Sequence, residues 1–146
     1  MADHEVELNN ESATYISYPL IFLELTDNMP ALDPYTFLQD DAPVIDIHRV
    51  ESPNFGRRLF IYQVELTPAP TALAPVRIYI DTMNRVAFVD PDNAHAQAGE
   101  LLQIFHPASR FFYVLPGIVN TIAFNNVPED GSVSKMGLRW RKAYSG

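Results

Sequence analysis

Phe111-Phe-Tyr-Val-Leu-Pro-Gly-Ile-Val-Asn-Thr-Ile-Ala-Phe124 is the stretch whose reading decides the fold. Two apolar runs flank Pro116-Gly117. The first, residues 111–115, is aromatic and bulky; the second, residues 118–124, mixes β-branched residues with one asparagine. Proline presets φ for the first corner of a tight turn and glycine admits φ > 0 at the second, so Leu115-Pro-Gly-Ile118 suits a type II turn. The stretch reads as strand, turn, strand.

Similar segments lie on both sides of it. Val76-Arg-Ile-Tyr-Ile-Asp81 alternates cleanly, with Val76, Ile78 and Ile80 on one face. Thr82 to Arg85 reads as a hairpin loop with Asn84 in the left-handed region, and Val86 to Val89 returns. Downstream, residues 133–142 read as the last strand, with Met136, Leu138 and Trp140 facing one way and Lys135, Arg139 and Arg141 the other. Upstream, residues 20–25 are nearly continuous apolar, as in a strand buried on both faces, and Pro19 marks an edge or bulge just before. Residues 44–50 alternate loosely. Residues 58–66 put Phe60, Tyr62, Val64 and Leu66 on one face.

Pro-rich stretches separate these runs. Residues 27–43 form a loop, with room for one helical turn at 34–38 capped by Asp33. Residues 67–75 make a stiff connector. Residues 94–105 fit a short helix or an irregular strand equally, since Gly99 costs about 1 kcal/mol against alanine in a helix. Residues 1–14 are acidic, without periodicity, and read as a flexible arm. The expected architecture is all-β: an antiparallel β-sandwich or partly open barrel over residues 15–146, with long Pro-rich loops, an extended N-terminal arm and at most one short helix.

Composition narrows function. The 146 residues carry a formal charge of −8 and no cysteine, which removes disulfides and thiolate chemistry and disfavours nonspecific nucleic-acid binding. No apolar run approaches the roughly 20 residues of a membrane helix, and the acidic start does not resemble a secretory signal. Charge is uneven: residues 1–51 hold 11 acids and one arginine, residues 52–146 hold 7 acids and 9 bases. An acidic front and a basic tail fit either a solvated surface or head-to-tail contact between copies.

Catalytic signatures are weak. Asp46 and His48 share a strand face, but matched ligands are missing: His4 lies in the arm, and His95 and His106 in loops. Asp90-Pro-Asp-Asn93 offers three side-chain oxygens, yet Asx residues beside proline more often form turns than calcium sites, which need about 6–8 oxygens. There is no Gly-x-Ser-x-Gly elbow, and Ser109, three residues after His106, lacks an orienting acid. Tyr15, Tyr18, Tyr35, Tyr79, Tyr113 and Trp140 could make a sugar platform, although core packing is their commoner role. No catalytic residue, cofactor or metal is expected.

A resemblance gives the most specific expectation. Val76-Arg-Ile-Tyr-Ile-Asp-Thr-Met-Asn-Arg-Val-Ala-Phe-Val89, the Phe111–Phe124 stretch and Gly137-Leu-Arg-Trp-Arg-Lys-Ala-Tyr144 resemble, in that order, motifs of the β-sandwich domain of distal tail, tail-tip and baseplate proteins of siphophages. The resemblance covers residues 76–144. Ile118 and Val119 separate Gly117 from Asn120, where the family pattern has one residue. The resemblance implies a structural virion protein, made in the host bacterial cytoplasm and carried in the tail. It further implies a ring, hexameric by analogy, that touches tube, hub and receptor-binding proteins, with no enzyme activity and no nucleic-acid or membrane partner. Tyr15, Arg139, Arg141, Lys142 and Tyr144 are the expected contact residues. A carbohydrate-binding sandwich and a hydrolase using Asp46 and His48 are the alternatives.

Overall fold

The computed structural model describes residues 2–29, 45–61, 64, 66, 68–89, 105, 108–129 and 131–140. Eight strands run in the order β1 (Ala2–Asn9), β2 (Leu20–Leu25), β3 (Ile45–Arg49), β4 (Arg58–Ile61), β5 (Val76–Asp81), β6 (Val86–Val89), β7 (Val119–Val127) and β8 (Val133–Arg139). They form two four-stranded sheets, β1-β7-β3-β4 and β6-β5-β2-β8, in which every pairing is antiparallel. No helix occurs among the described residues. The architecture is an all-β sandwich, as the pattern of short apolar runs implies.

One aliphatic core joins the sheets. Ile45, Ile47, Leu59, Ile61, Ile122 and Phe124 from the first sheet meet Ile21, Leu23, Leu25, Ile78 and Ile80 from the second, all fully buried. Each such side chain contributes about 1.5–3 kcal/mol by leaving water. The β5 alternation places Val76, Ile78 and Ile80 inward, as expected.

Several expectations need correction. Residues 2–9 are not an unpaired arm: β1 pairs along β7 from Ala2↔Val127 to Asn9↔Val119. Leu8 points into the core and Val6 packs at its rim, which gives this polar segment an inward face. β2 is buried on one face only; Leu20, Phe22 and Glu24 lie half-buried on the other. On β4, Leu59 and Ile61 are the buried pair and Phe60 faces away, whereas Val64 and Leu66 are buried as expected. Ile61 and Val64 stand three apart, so the two buried pairs do not share one two-residue alternation. In the β5–β6 hairpin the left-handed residue is Arg85, at φ 58°, not Asn84. Asp81 is the cause: its carboxylate accepts from the Met83 and Asn84 amides at 3.0 and 3.1 Å and from Asn84 Nδ2 at 2.7 Å. The loop therefore turns early and recovers its direction at the last position. The expected helical turn at 34–38 and most of 94–105 lie outside the described residues, as do Tyr35, Tyr62, His95, His106 and the Asp90–Asn93 turn.

The Pro116-Gly117 turn is present, with Gly117 at φ 77°, the value a type II turn needs at its third residue. Its first arm, however, is not the partner of its second. Val114 instead exchanges backbone bonds with Ser17, at 3.0 and 2.6 Å. Buried Asn120 takes the place of the missing rungs: its Oδ1 accepts from Leu115 N–H at 2.8 Å and its Nδ2 donates to Leu115 C=O at 2.9 Å. Asn10 Nδ2 also donates to Leu115 C=O, at 2.9 Å, and Asn10 C=O accepts from Gly117 N–H at 3.0 Å. Two side-chain amides thus sew the turn to β1 and β7.

Asn120→Ala should lower the unfolding free energy by about 1–3 kcal/mol, because it strands the Leu115 N–H and leaves Asn10 as the remaining side-chain donor to the Leu115 C=O. Urea denaturation checks this, with the midpoint falling and the slope unchanged.

Candidate functional site

Asp46 and His48 do meet. They alternate out of the core while Ile45 and Ile47 point in. The register sets Arg58 of β4 opposite His48. His48 Nδ1 lies 3.2 Å from Asp46 Oδ1. Arg58 Nε donates to the same oxygen at 3.1 Å, and its second terminal nitrogen lies 2.7 Å from Oδ2 and 3.4 Å from His48 Nδ1. The carboxylate is therefore grasped bidentately by a guanidinium. A carboxylate so held stays ionised and is a poor proton donor. The arrangement ties β3 to β4. Among the described residues no group of three His, Cys, Asp or Glu could hold a metal. Ser109 is occupied structurally: its hydroxyl accepts from Phe60 N–H at 2.9 Å and donates to Phe60 C=O at 3.3 Å, covering the β4 edge.

A second constellation surrounds Arg49, which sequence reading passed over. It is fully buried at the end of β3. Its Nε donates to Tyr113 C=O at 2.9 Å, one terminal nitrogen donates to Glu51 C=O at 2.8 Å and the other to Pro53 C=O. Its carbon sits 5.5 Å from the centre of the Tyr113 ring, which Arg57 approaches at 5.7 Å. Burial pushes the guanidinium pKa down, while Tyr113 and Glu51 oppose the shift. Tyr113 also meets Tyr18 edge-on at 6.2 Å. Both tyrosines thus serve packing around an arginine staple. Beside it, Arg57, Arg85, Ser109, Arg110 and Phe111 line a shallow cleft of about 330 Å³.

The outer face of the second sheet carries the third constellation. Phe88, Tyr79 and Phe22 follow one another across β6, β5 and β2 in register. Tyr79 and Phe88 stack at 5.6 Å and 24°, and Phe22 tilts against Tyr79 at 6.4 Å. The row ends at Gly137 on β8, where a Cβ would come within 2.8 Å of the Phe22 ring. Arg77 lies 4.6 Å above Phe22 and its Nε reaches Glu24 at 3.2 Å. Only Tyr79 of this row was singled out from sequence; Phe22 and Phe88 join it through strand register, which no local pattern displays.

Of the expected contact residues, Tyr15 is 54% exposed and Arg139 is exposed at the end of β8. The two are not brought together by any described contact. Arg139 instead borders a cleft of about 310 Å³ with Tyr18, Leu20 and Trp140. Arg141, Lys142 and Tyr144 lie outside the described residues.

The Asp46 cluster makes a pH prediction. Burial raises the Asp46 carboxyl pKa, but the hydrogen bonds and charges of His48 and Arg58 outweigh it and hold the group below its ordinary value. Glu24 is lowered likewise: burial raises it, and Arg77, Ser134 and Lys135 prevail. A depressed folded-state pKa contributes stability that is present above the unfolded value and lost as pH falls through the folded one. Stability should therefore decline below about pH 4, and Asp46→Asn should flatten that decline. At neutral pH Asp46→Ala should cost about 0.5–1.5 kcal/mol by removing the ion pair that ties β3 to β4, since half-exposed Arg58 can turn to water. Urea melts at pH 7 and pH 3 measure both. Comparison of the chain with models of protein families, with curated proteins and with solved structures returned no match.

Proposed function

We propose that this chain is a structural subunit of a bacteriophage tail, a small distal-tail or baseplate-like protein that forms a ring between the tail tube and the host-adsorption apparatus. One observation carries the reading. The first two motifs of the resemblance fall on the β5–β6 hairpin and the Pro-Gly turn leading into β7, and the third begins in the edge strand β8 at Gly137–Arg139, all within a single sandwich. The chemistry of the described residues is compatible. Asp46, His48, Arg49, Arg58 and Ser109 are spent on cross-links within the fold, as a scaffold protein requires. Six copies, contacts with tube, hub and receptor-binding proteins, and a place in the virion belong to this proposal by resemblance.

A second reading draws on the aromatic row. Phe22, Tyr79 and Phe88 make a strip across the outer sheet face with Arg77 and Glu24 beside it. Such strips suit stacking against sugar rings, with polar neighbours bonding the hydroxyls. This would make the protein a carbohydrate-binding module.

Negative-stain electron microscopy of the purified protein should show closed rings, and antibody labelling of virions should mark the tail end. Monomers, together with virions that carry no label, would refute the tail reading. Glycan-array binding that is abolished by Tyr79→Ala would instead establish the sugar-binding module.

A further inference from the structure

Each sheet has two edge strands, and one of the two in each sheet carries several exposed charges of one sign. In the first sheet it is β1, in the second β8. On β1, Asp3, Glu5 and Glu7 occupy one exposed face. On β8, Lys135 and Arg139 occupy the exposed face with Gly137 between them. Neither strand has a second neighbour among the described residues. Unpaired edges of this length invite strand addition.

The direction of the peptide groups decides which addition fits. Asn10 N–H bonds Ile118 C=O, so Leu8, Val6 and His4, at two-residue steps, turn their peptide groups toward β7. Asp3, Glu5 and Glu7 turn theirs to the open side. In the second sheet, Thr82 N–H bonds Pro19 C=O, so the odd residues of β2 face β5 and the even ones face β8. Lys135, Gly137 and Arg139, opposite Glu24, Phe22 and Leu20, are therefore engaged with β2. Met136 and Leu138 turn their peptide groups outward.

An antiparallel union of the two edges would set outward-facing peptide groups opposite one another, Glu5 against Met136, and so place acids over the core side of the neighbour. A parallel union has no such conflict, since a residue there bonds the two positions flanking its opposite. Glu5 then bonds Met136 C=O and Leu138 N–H while lying opposite Gly137. Asp3 falls opposite Lys135 and Glu7 opposite Arg139, because both pairs are spaced by four residues. On the inner side Val6 comes beside Leu138 and Leu8 beside Trp140. Val6, Met136, Leu138 and Trp140 are the partly buried rim of the core, and the neighbour would finish covering it.

We propose that two copies of this chain join by parallel pairing of β1 from one with β8 of the other, with Asp3 against Lys135 and Glu7 against Arg139. Like edges repel and unlike edges attract, so the contact is head-to-tail and can propagate around a closed assembly. This deepens the ring-forming half of the proposed function and rests on it for the number of copies.

The absence of cysteine makes the test clean. Glu7→Cys protein mixed with Arg139→Cys protein, and Asp3→Cys mixed with Lys135→Cys, should give covalent heterodimers with a short bismaleimide. Glu7→Cys mixed with Ser134→Cys, neighbours in the antiparallel register that sets Glu5 against Met136, should not. By light scattering, the Lys135→Glu, Arg139→Glu variant should lose assembly by about tenfold or more in dissociation constant, and assembly should weaken with salt. Adding Asp3→Lys and Glu7→Lys to that variant should restore it, which excludes misfolding as the cause. Assemblies that ignore charge reversal, or cross-link in the antiparallel register, overturn the edge contact and leave the tail reading standing. A charge-sensitive assembly that labels no virion overturns the tail reading alone. A wild type that stays monomeric overturns the edge contact, and if virions also carry no label the tail reading falls with it.

Discussion

The structure depends on how residues 111–115 are held without a ladder of their own. Four side chains do it. Asn120 and Asn10 bond the peptide of Leu115, Arg49 bonds the carbonyl of Tyr113, and Arg57 donates to the carbonyl of Phe111 at 3.1 Å. Their grip leaves Val114 free to bridge to Ser17 and sets Phe112 and Val114 fully inside the core. It also frees the second arm of the turn to become β7, which needs both its edges for β1 and β3. A conventional hairpin at Pro116-Gly117 would have occupied one of those edges and divided the first sheet.

Arg49 is the costliest of the four. Removing a guanidinium from water is expensive unless its donors are met. Here the donors meet three backbone carbonyls from two loops, and the charge lies over the face of Tyr113. Arginine suits the task because its planar fork fixes several acceptors at once and stays charged even when burial opposes it. Lysine could not span the same set. The buried cation thus positions the 50–57 loop and the 111–115 segment relative to each other, linking local chain geometry to the register of the sheet beside it.

What the sequence disclosed follows from whether a strand has one apolar face or two. β5 was legible because Arg77, Tyr79 and Asp81 mark its outward face against Val76, Ile78 and Ile80. β2 was misread as buried on both faces because Leu20 and Phe22 are apolar yet half-exposed. On β4 the phase was ambiguous, since Leu59-Phe-Ile61 is apolar throughout, and packing chose the opposite face from the one inferred. β1 was missed because acids dominate it, although Val6 and Leu8 already stood two apart. At the level of sites, the spacing of Asp46 and His48 was visible, but Arg58, which completes the cluster, comes from another strand by register. The same holds for Phe22 and Phe88 around Tyr79. Pairing between distant segments is the information a single sequence carries least openly.

The sheet order also governs when the chain can fold. β1 has β7 as its neighbour, and β2 lies between β5 and β8. Neither sheet is complete until the chain has been synthesised past residue 127 for one and residue 139 for the other. During translation Leu20–Leu25 must wait, apolar and unpaired, until β5 has emerged, and its second edge stays open until β8 follows more than a hundred residues after it. Closing loops of that span costs entropy before any contact compensates for it, which makes folding slow relative to local topologies. The acidic first strand, with its charge and solubility, travels just ahead of that apolar segment and shields it from premature association.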